Sequence, residues 1–108
     1  MRVIIKHPYE PVGREKRIPD NMIDATIQKY VGGLFNVYPI NNYAGIVYCM
    51  DVNDENAGKA YPCSTVKPGK QVIAGRAFYG PIVVVGLDGP NYADLHFTLT
   101  EWERYWLL

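Results

Sequence analysis

The residues of this chain that could do chemistry are few, and they are scattered. Asp51, Asn53 and Glu55 stand at the first, third and fifth places of a loop of the kind that rings a calcium ion with oxygen ligands. The rest of that pattern fails. Asn56 replaces the required glycine, Pro62 stands at the twelfth place instead of a chelating glutamate, and no helical pattern flanks the segment. His7 precedes a proline and His96 precedes a helix-start sequence, and no carboxylate or cysteine is read at metal-ligand or triad spacing from either. Ser64-Thr65 lacks the setting of a nucleophile elbow, and Lys67-Pro68-Gly69-Lys70 lacks the upstream glycine of a phosphate-cradling loop. Cys49 and Cys63 have no CxxC spacing and no neighbouring histidine, which excludes a zinc site; two free thiols are expected, with a disulfide as the alternative. No catalytic residue, metal or cofactor is therefore expected.

Recognition is the chemistry that remains. Nine tyrosines and three phenylalanines supply rigid contact area with polar tips, although a small core needs many of these rings. Arg76 lies inside the apolar run from Val72 to Tyr79, so it must face solvent on one side of a sheet or find a partner.

The elements that would position these groups follow from periodicity and turn chemistry. Arg2 to His7 and Glu15 to Ile18 read as an opening hairpin. Pro19-Asp20-Asn21 supplies helix-start residues, and Ile23, Ile27, Tyr30 and Val31 form an apolar stripe that predicts a helix from Met22 to Val31, closed by Gly32-Gly33. Leu34 to Ile40 and Ala44 to Met50, separated by Asn41-Asn42, read as antiparallel neighbours. Asp51 to Gly58 reads as a polar loop, Ala60 to Val66 as a short edge segment, and Lys67 to Lys70 as a turn. Val72 to Tyr79 and Pro81 to Leu87 each read as one buried strand. Thr98-Leu99-Thr100-Glu101 matches a capping box, with Phe97 placed to staple onto Trp102, and predicts a last helix from Leu99 to about Leu107 whose Trp102 and Trp106 face the core. The expectation is a single α+β domain over residues 1–108, a mostly antiparallel sheet of five or six strands with one internal and one C-terminal helix.

Composition narrows the partners. The chain has 108 residues, 48% of them hydrophobic, and that is enough for one core. Eleven basic and eleven acidic residues cancel and are mixed along the chain, which disfavours nucleic-acid binding and equally the dense carboxylates of a DNA mimic. No apolar run reaches the length of a membrane span or a signal peptide, so a cytoplasmic protein without membrane contact is expected.

The order Ile27-Gln28-Lys29-Tyr30-Val31-Gly32-Gly33, Ile46-Val47-Tyr48-Cys49, Gly58-Lys59, Ile73-Ala74-Gly75-Arg76-Ala77-Phe78 and Thr98 through Tyr105 resembles a family of small proteins of phages and conjugative elements, a domain of unknown function sometimes found near anti-restriction genes. The resemblance spans about Ile23 to Trp106. It departs from the family at the polar turn, lengthened here to Asp51 through Lys59, and at Ser64-Thr65, which stand where the family has an Asn-Arg pair. It implies a mobile-element accessory protein in the cytoplasm of a bacterial host, countering a defence system by binding. The partner is then a host defence protein or a nucleotide second messenger. The second would use Lys59, Arg76 and Tyr79 as ligand-binding residues. A small nucleotide-acting enzyme and a structural or assembly component are the alternatives, and a homo-oligomer is compatible with each.

Overall fold

Val3 to Ile5, Ala44 to Cys49 and Ile82 to Val85 hold uncharged residues at consecutive positions. A strand that is apolar on both faces must be covered on both. In the computed structural model, which describes residues 1–49 and 70–107, these runs lie side by side at the centre of the molecule. The elements are β1 (Arg2–Lys6), β2 (Arg14–Arg17), α1 (Ile23–Val31), β3 (Phe35–Asn41), β4 (Ala44–Cys49), β5 (Lys70–Ile73), β6 (Arg76–Tyr79), β7 (Ile82–Asp88), β8 (Asn91–Ala93) and α2 (Leu99–Tyr105). The fold is α+β. Six strands form an antiparallel sheet in the order β2-β1-β7-β4-β3, with β8 also paired to β7, while β5 and β6 form a separate hairpin.

Register sorts the side chains into two cores. Ile5, Val83 and Val47 form one row across β1, β7 and β4, and Ile4, Val84 and Ile46 form the next. Because strand side chains alternate, the first row joins Ile27 and Val31 of α1 on one face. The second row joins Ile73 and Phe78 of the β5–β6 hairpin and Trp102 of α2 on the other. The outer strands are blunted against further pairing: all four residues of β2 are exposed and charged, and β3 carries Pro39.

The helices follow their local signals unequally. The last helix has the complete capping box, Thr98 Oγ1 accepting from the Glu101 amide and Glu101 Oε1 accepting from the Thr98 amide, and the Phe97 ring lies parallel to buried Trp102 at 6.3 Å. Gly32 takes the left-handed conformation that ends α1. At the other end of α1 no side chain caps the helix: Met22 is the N-cap, and Asp20 accepts instead from the Met1 nitrogen at 2.8 Å.

Two expectations are corrected and one strand is added. The run Val72 to Tyr79 is not one strand, because Ala74 and Gly75 adopt positive φ of 52° and 78° and fold it into the two-residue hairpin of β5 and β6. The short strand β8 lies in a stretch that shows no apolar alternation. Cys49 is disulfide-bonded rather than free; spacing rules that exclude zinc leave open whether two sulfurs meet, which the fold decides. Its bonding partner, the segment from Ala60 to Val66 and the Asp51 to Gly58 loop lie outside the described residues. Among the described residues no helix is long and apolar enough to cross a membrane.

The close approach of β8 to β7 is made at Gly86, where an added Cβ would meet the Ala93 carbonyl oxygen at 2.6 Å and the Asp94 carbonyl closer still. Gly86→Ala is expected to force these backbones apart and to cost about 1–3 kcal/mol. Urea unfolding should place the midpoint well below that of the parent, and an unchanged midpoint would show that β8 gives way freely.

Candidate functional site

The β5–β6 hairpin is positioned by its apolar side, with Ile73 and Phe78 fully buried against the main sheet. Alternation along β6 puts Arg76 on the same side as Phe78, so its guanidinium is carried toward the sheet. There it lies over the Tyr38 ring at 4.6 Å, the Tyr48 ring at 5.3 Å and the Phe78 ring at 5.6 Å. One nitrogen, Nη2, donates to the Tyr48 hydroxyl at 3.3 Å. Among the described residues no carboxylate lies within ion-pair distance of this cation. The rings stabilise the charge through their quadrupoles, while among the described residues most of its five N–H donors have no acceptor. Such a group is prepared for an anion.

Of the residues expected to bind together, Lys59 lies outside the described residues. Tyr79 is three positions from Arg76 and therefore on the opposite side of β6, where it packs against the core that contains α1. Arg76 is instead joined by Tyr38 and Tyr48, which sequence reasoning missed. Tyr38 pairs with Ile46, and Tyr48 is two residues further along β4, so the two tyrosines are diagonal neighbours on one face. Only the β3–β4 register reveals this.

A second cluster forms where β1 ends. Here an expectation is corrected, since His7 has a carboxylate three residues on: its Nδ1 lies 2.6 Å from Glu10 Oε1, and its backbone N–H donates to the same oxygen at 3.1 Å. Arg14 Nε approaches Glu10 Oε2 at 3.2 Å. The tight turn, in which the Glu10 amide donates to the His7 carbonyl at 3.0 Å, folds the two side chains together. Burial works to raise the Glu10 pKa, but the hydrogen bonds from His7 and the nearby charges of Arg14 and His7 outweigh it and hold the carboxyl below its ordinary value. His7 opens on a hollow of about 570 Å³ beside α1, lined also by Met22, Ala25, Thr26, Lys29 and Tyr30. His96, by contrast, is exposed and meets Tyr43 and Phe97 edge-on.

Next to His7, Lys6 is buried on the hairpin side, where Nζ donates to Gln71 Oε1 at 2.7 Å. Burial pushes its pKa below the ordinary value, against a smaller opposing effect of Glu10. Among the described residues no group of three or more histidine, cysteine or carboxylate side chains could hold a metal ion.

Compared with known proteins, the chain matches no family model, no curated protein and no solved structure.

The Glu10 pairing has a pH signature. A carboxyl whose folded pKa lies below its ordinary 4.5 stabilises the fold fully above that pH, and the contribution is lost as pH falls through the folded value. Glu10→Gln should therefore be less stable than the parent at neutral pH, with the gap narrowing below about pH 4.5. Asp94, also held low by the Arg2 amide, still contributes to the remaining acid dependence of the variant. Urea titrations from pH 3 to 7 give the answer, and a gap independent of pH would mean that the pairing is absent in solution.

Proposed function

We propose that this chain is a non-enzymatic binding domain, an accessory protein of a phage or mobile element that counters a bacterial defence system by sequestering an anionic nucleotide signal at Arg76. The supporting observation is the guanidinium over Tyr38, Tyr48 and Phe78, which lacks a carboxylate partner among the described residues. Arginine matches phosphate oxygens through paired parallel N–H donors, which a point charge does not provide. Occlusion of a host protein is favoured less. The exposed large apolar residues Tyr9, Met22, Leu34, Tyr43, Val72 and Tyr105 come from separate segments rather than from one element that would present a single apolar patch. A cytoplasmic setting belongs to the same proposal, and the disulfide at Cys49 counts against it, since such bonds persist mainly in oxidising compartments.

Calorimetry of the full chain against cyclic nucleotides and ADP-ribose derivatives tests the reading. At least one should bind with a stoichiometry matching the oligomer, and Arg76→Ala should weaken it by about tenfold or more, the loss of one charged hydrogen-bonding group. Arg76→Lys should recover only part of that affinity, because a point charge cannot reproduce the planar fork. Silence across the panel, or binding indifferent to both variants, would remove the proposal. Mass spectrometry of the recovered ligand separates binding from turnover: a binder returns it unchanged.

A further inference from the structure

The hollow at His7 is lined by other residues than the Arg76 face, and its chemistry is that of an oriented imidazole. An ionised carboxylate can only accept, so the short contact to Glu10 requires the proton on Nδ1 and, in the neutral ring, leaves Nε2 with a bare lone pair. Among the described residues Nε2 has no hydrogen-bond partner, while the ring is steadied on its face by Tyr9, stacked at 5.2 Å and 23°. The imidazole is about a quarter exposed and Glu10 is more deeply set, so the ring can be reached while its orienting carboxylate is better sheltered. A metal is poorly served by one ring nitrogen in a hollow that the cationic residue Lys29 also lines. An electrophile bearing negative charge is well served by both.

We propose that His7 Nε2 is a phosphoryl-acceptor site, charged by a small donor whose leaving group departs without needing a proton, such as an acyl phosphate or a phosphoramidate. The Nε2 lone pair forms the N–P bond as the bond from phosphorus to the donor's oxygen or nitrogen breaks, and the departing carboxylate or amine takes that electron pair. No proton moves. Nδ1 keeps its hydrogen, the ring becomes a phosphoimidazolium, and Glu10 stabilises the new positive charge through the existing hydrogen bond. Lys29, which lines the same hollow, offers a cation to the phosphoryl oxygens. Glu10 is a positioning residue, acting through the ring it holds.

His96 is the internal control, the other histidine of the same chain, exposed and without a carboxylate partner among the described residues. The full chain would be incubated separately with acetyl phosphate and with phosphoramidate, and acid-labile label at each histidine followed by mass spectrometry and ³¹P NMR. His7 should be labelled at least about tenfold faster than His96, the scale on which an outer hydrogen-bonding partner alters a histidine's reactivity. Preference with one donor alone supports the site and identifies the leaving-group class. Glu10→Ala should bring His7 down to the rate of His96, and Glu10→Gln, which keeps an acceptor for Nδ1–H, should restore part of it. Circular dichroism confirms that each variant is folded, and if the alanine variant is not, the glutamine variant and the His7/His96 ratio still decide. Equal labelling of the two histidines with both donors, no labelling of either, or undiminished label in His7→Gln would overturn the proposal.

Discussion

Everything in this fold depends on the β1–β7–β4 ribbon being apolar on both faces. Val3, Ile4, Ile46, Val47, Ile82, Val83, Val84 and Val85 have no solvent exposure at all, so neither side of the ribbon can be left to water. One helix covers the first face, and a hairpin with the last helix covers the second. The layers are the means by which an alternating backbone satisfies a sequence that does not alternate.

That demand was largely legible in the sequence. Continuous apolar runs mark buried strands, the Thr98–Glu101 pattern marks a helix start, and Gly32 marks a helix end; all three are local signals whose physics acts within a few residues. Where the reading failed, the deciding interaction was not local. The turn at Ala74-Gly75 was hidden in an apolar run because Ala74 is an unusual residue for positive φ, although Gly75 gave a hint. Asp20 looked like a cap but is drawn to the Met1 nitrogen by the β1–β2 hairpin.

The candidate sites show the same division. Arg76 stood out because an ionised side chain in an apolar run needs a partner, yet the partners are rings on β3 and β4, visible only once strand register is known. Tyr79, expected beside Arg76, lies on the other side of β6 because side chains alternate along a strand, and there it packs against the core that contains α1. The His7–Glu10 pair was missed for the opposite reason. Its spacing of three is short, but each member stands directly before a proline, Pro8 or Pro11, in a turn where helix-derived expectations about spacing do not apply.

The two clusters are joined through Lys6 and Gln71. Lys6 directly precedes His7 and reaches to the hairpin side, where its ammonium donates to Gln71 Oε1, while Gln71 Nε2 donates to the Gly80 carbonyl at 2.8 Å. Gln71 belongs to β5, the strand paired with the one that carries Arg76. A buried lysine with an amide acceptor and no carboxylate within ion-pair distance among the described residues is costly, and its lowered pKa expresses that cost. A methionine would fill the same space without the charge, but it would leave the buried Gln71 oxygen unsatisfied, and of the polar ties to β1 only the contact of Gln71 Nε2 with the Lys6 carbonyl, at 3.4 Å, would remain. The apolar contacts of Ile73 and Phe78 press the hairpin onto the sheet without fixing its orientation, because dispersion and hydrophobic burial are nearly non-directional. The hydrogen bonds of Lys6 and Gln71 are directional, so they fix the angle at which Arg76 is laid over Tyr38 and Tyr48 and, through the neighbouring backbone, the position from which His7 leaves β1.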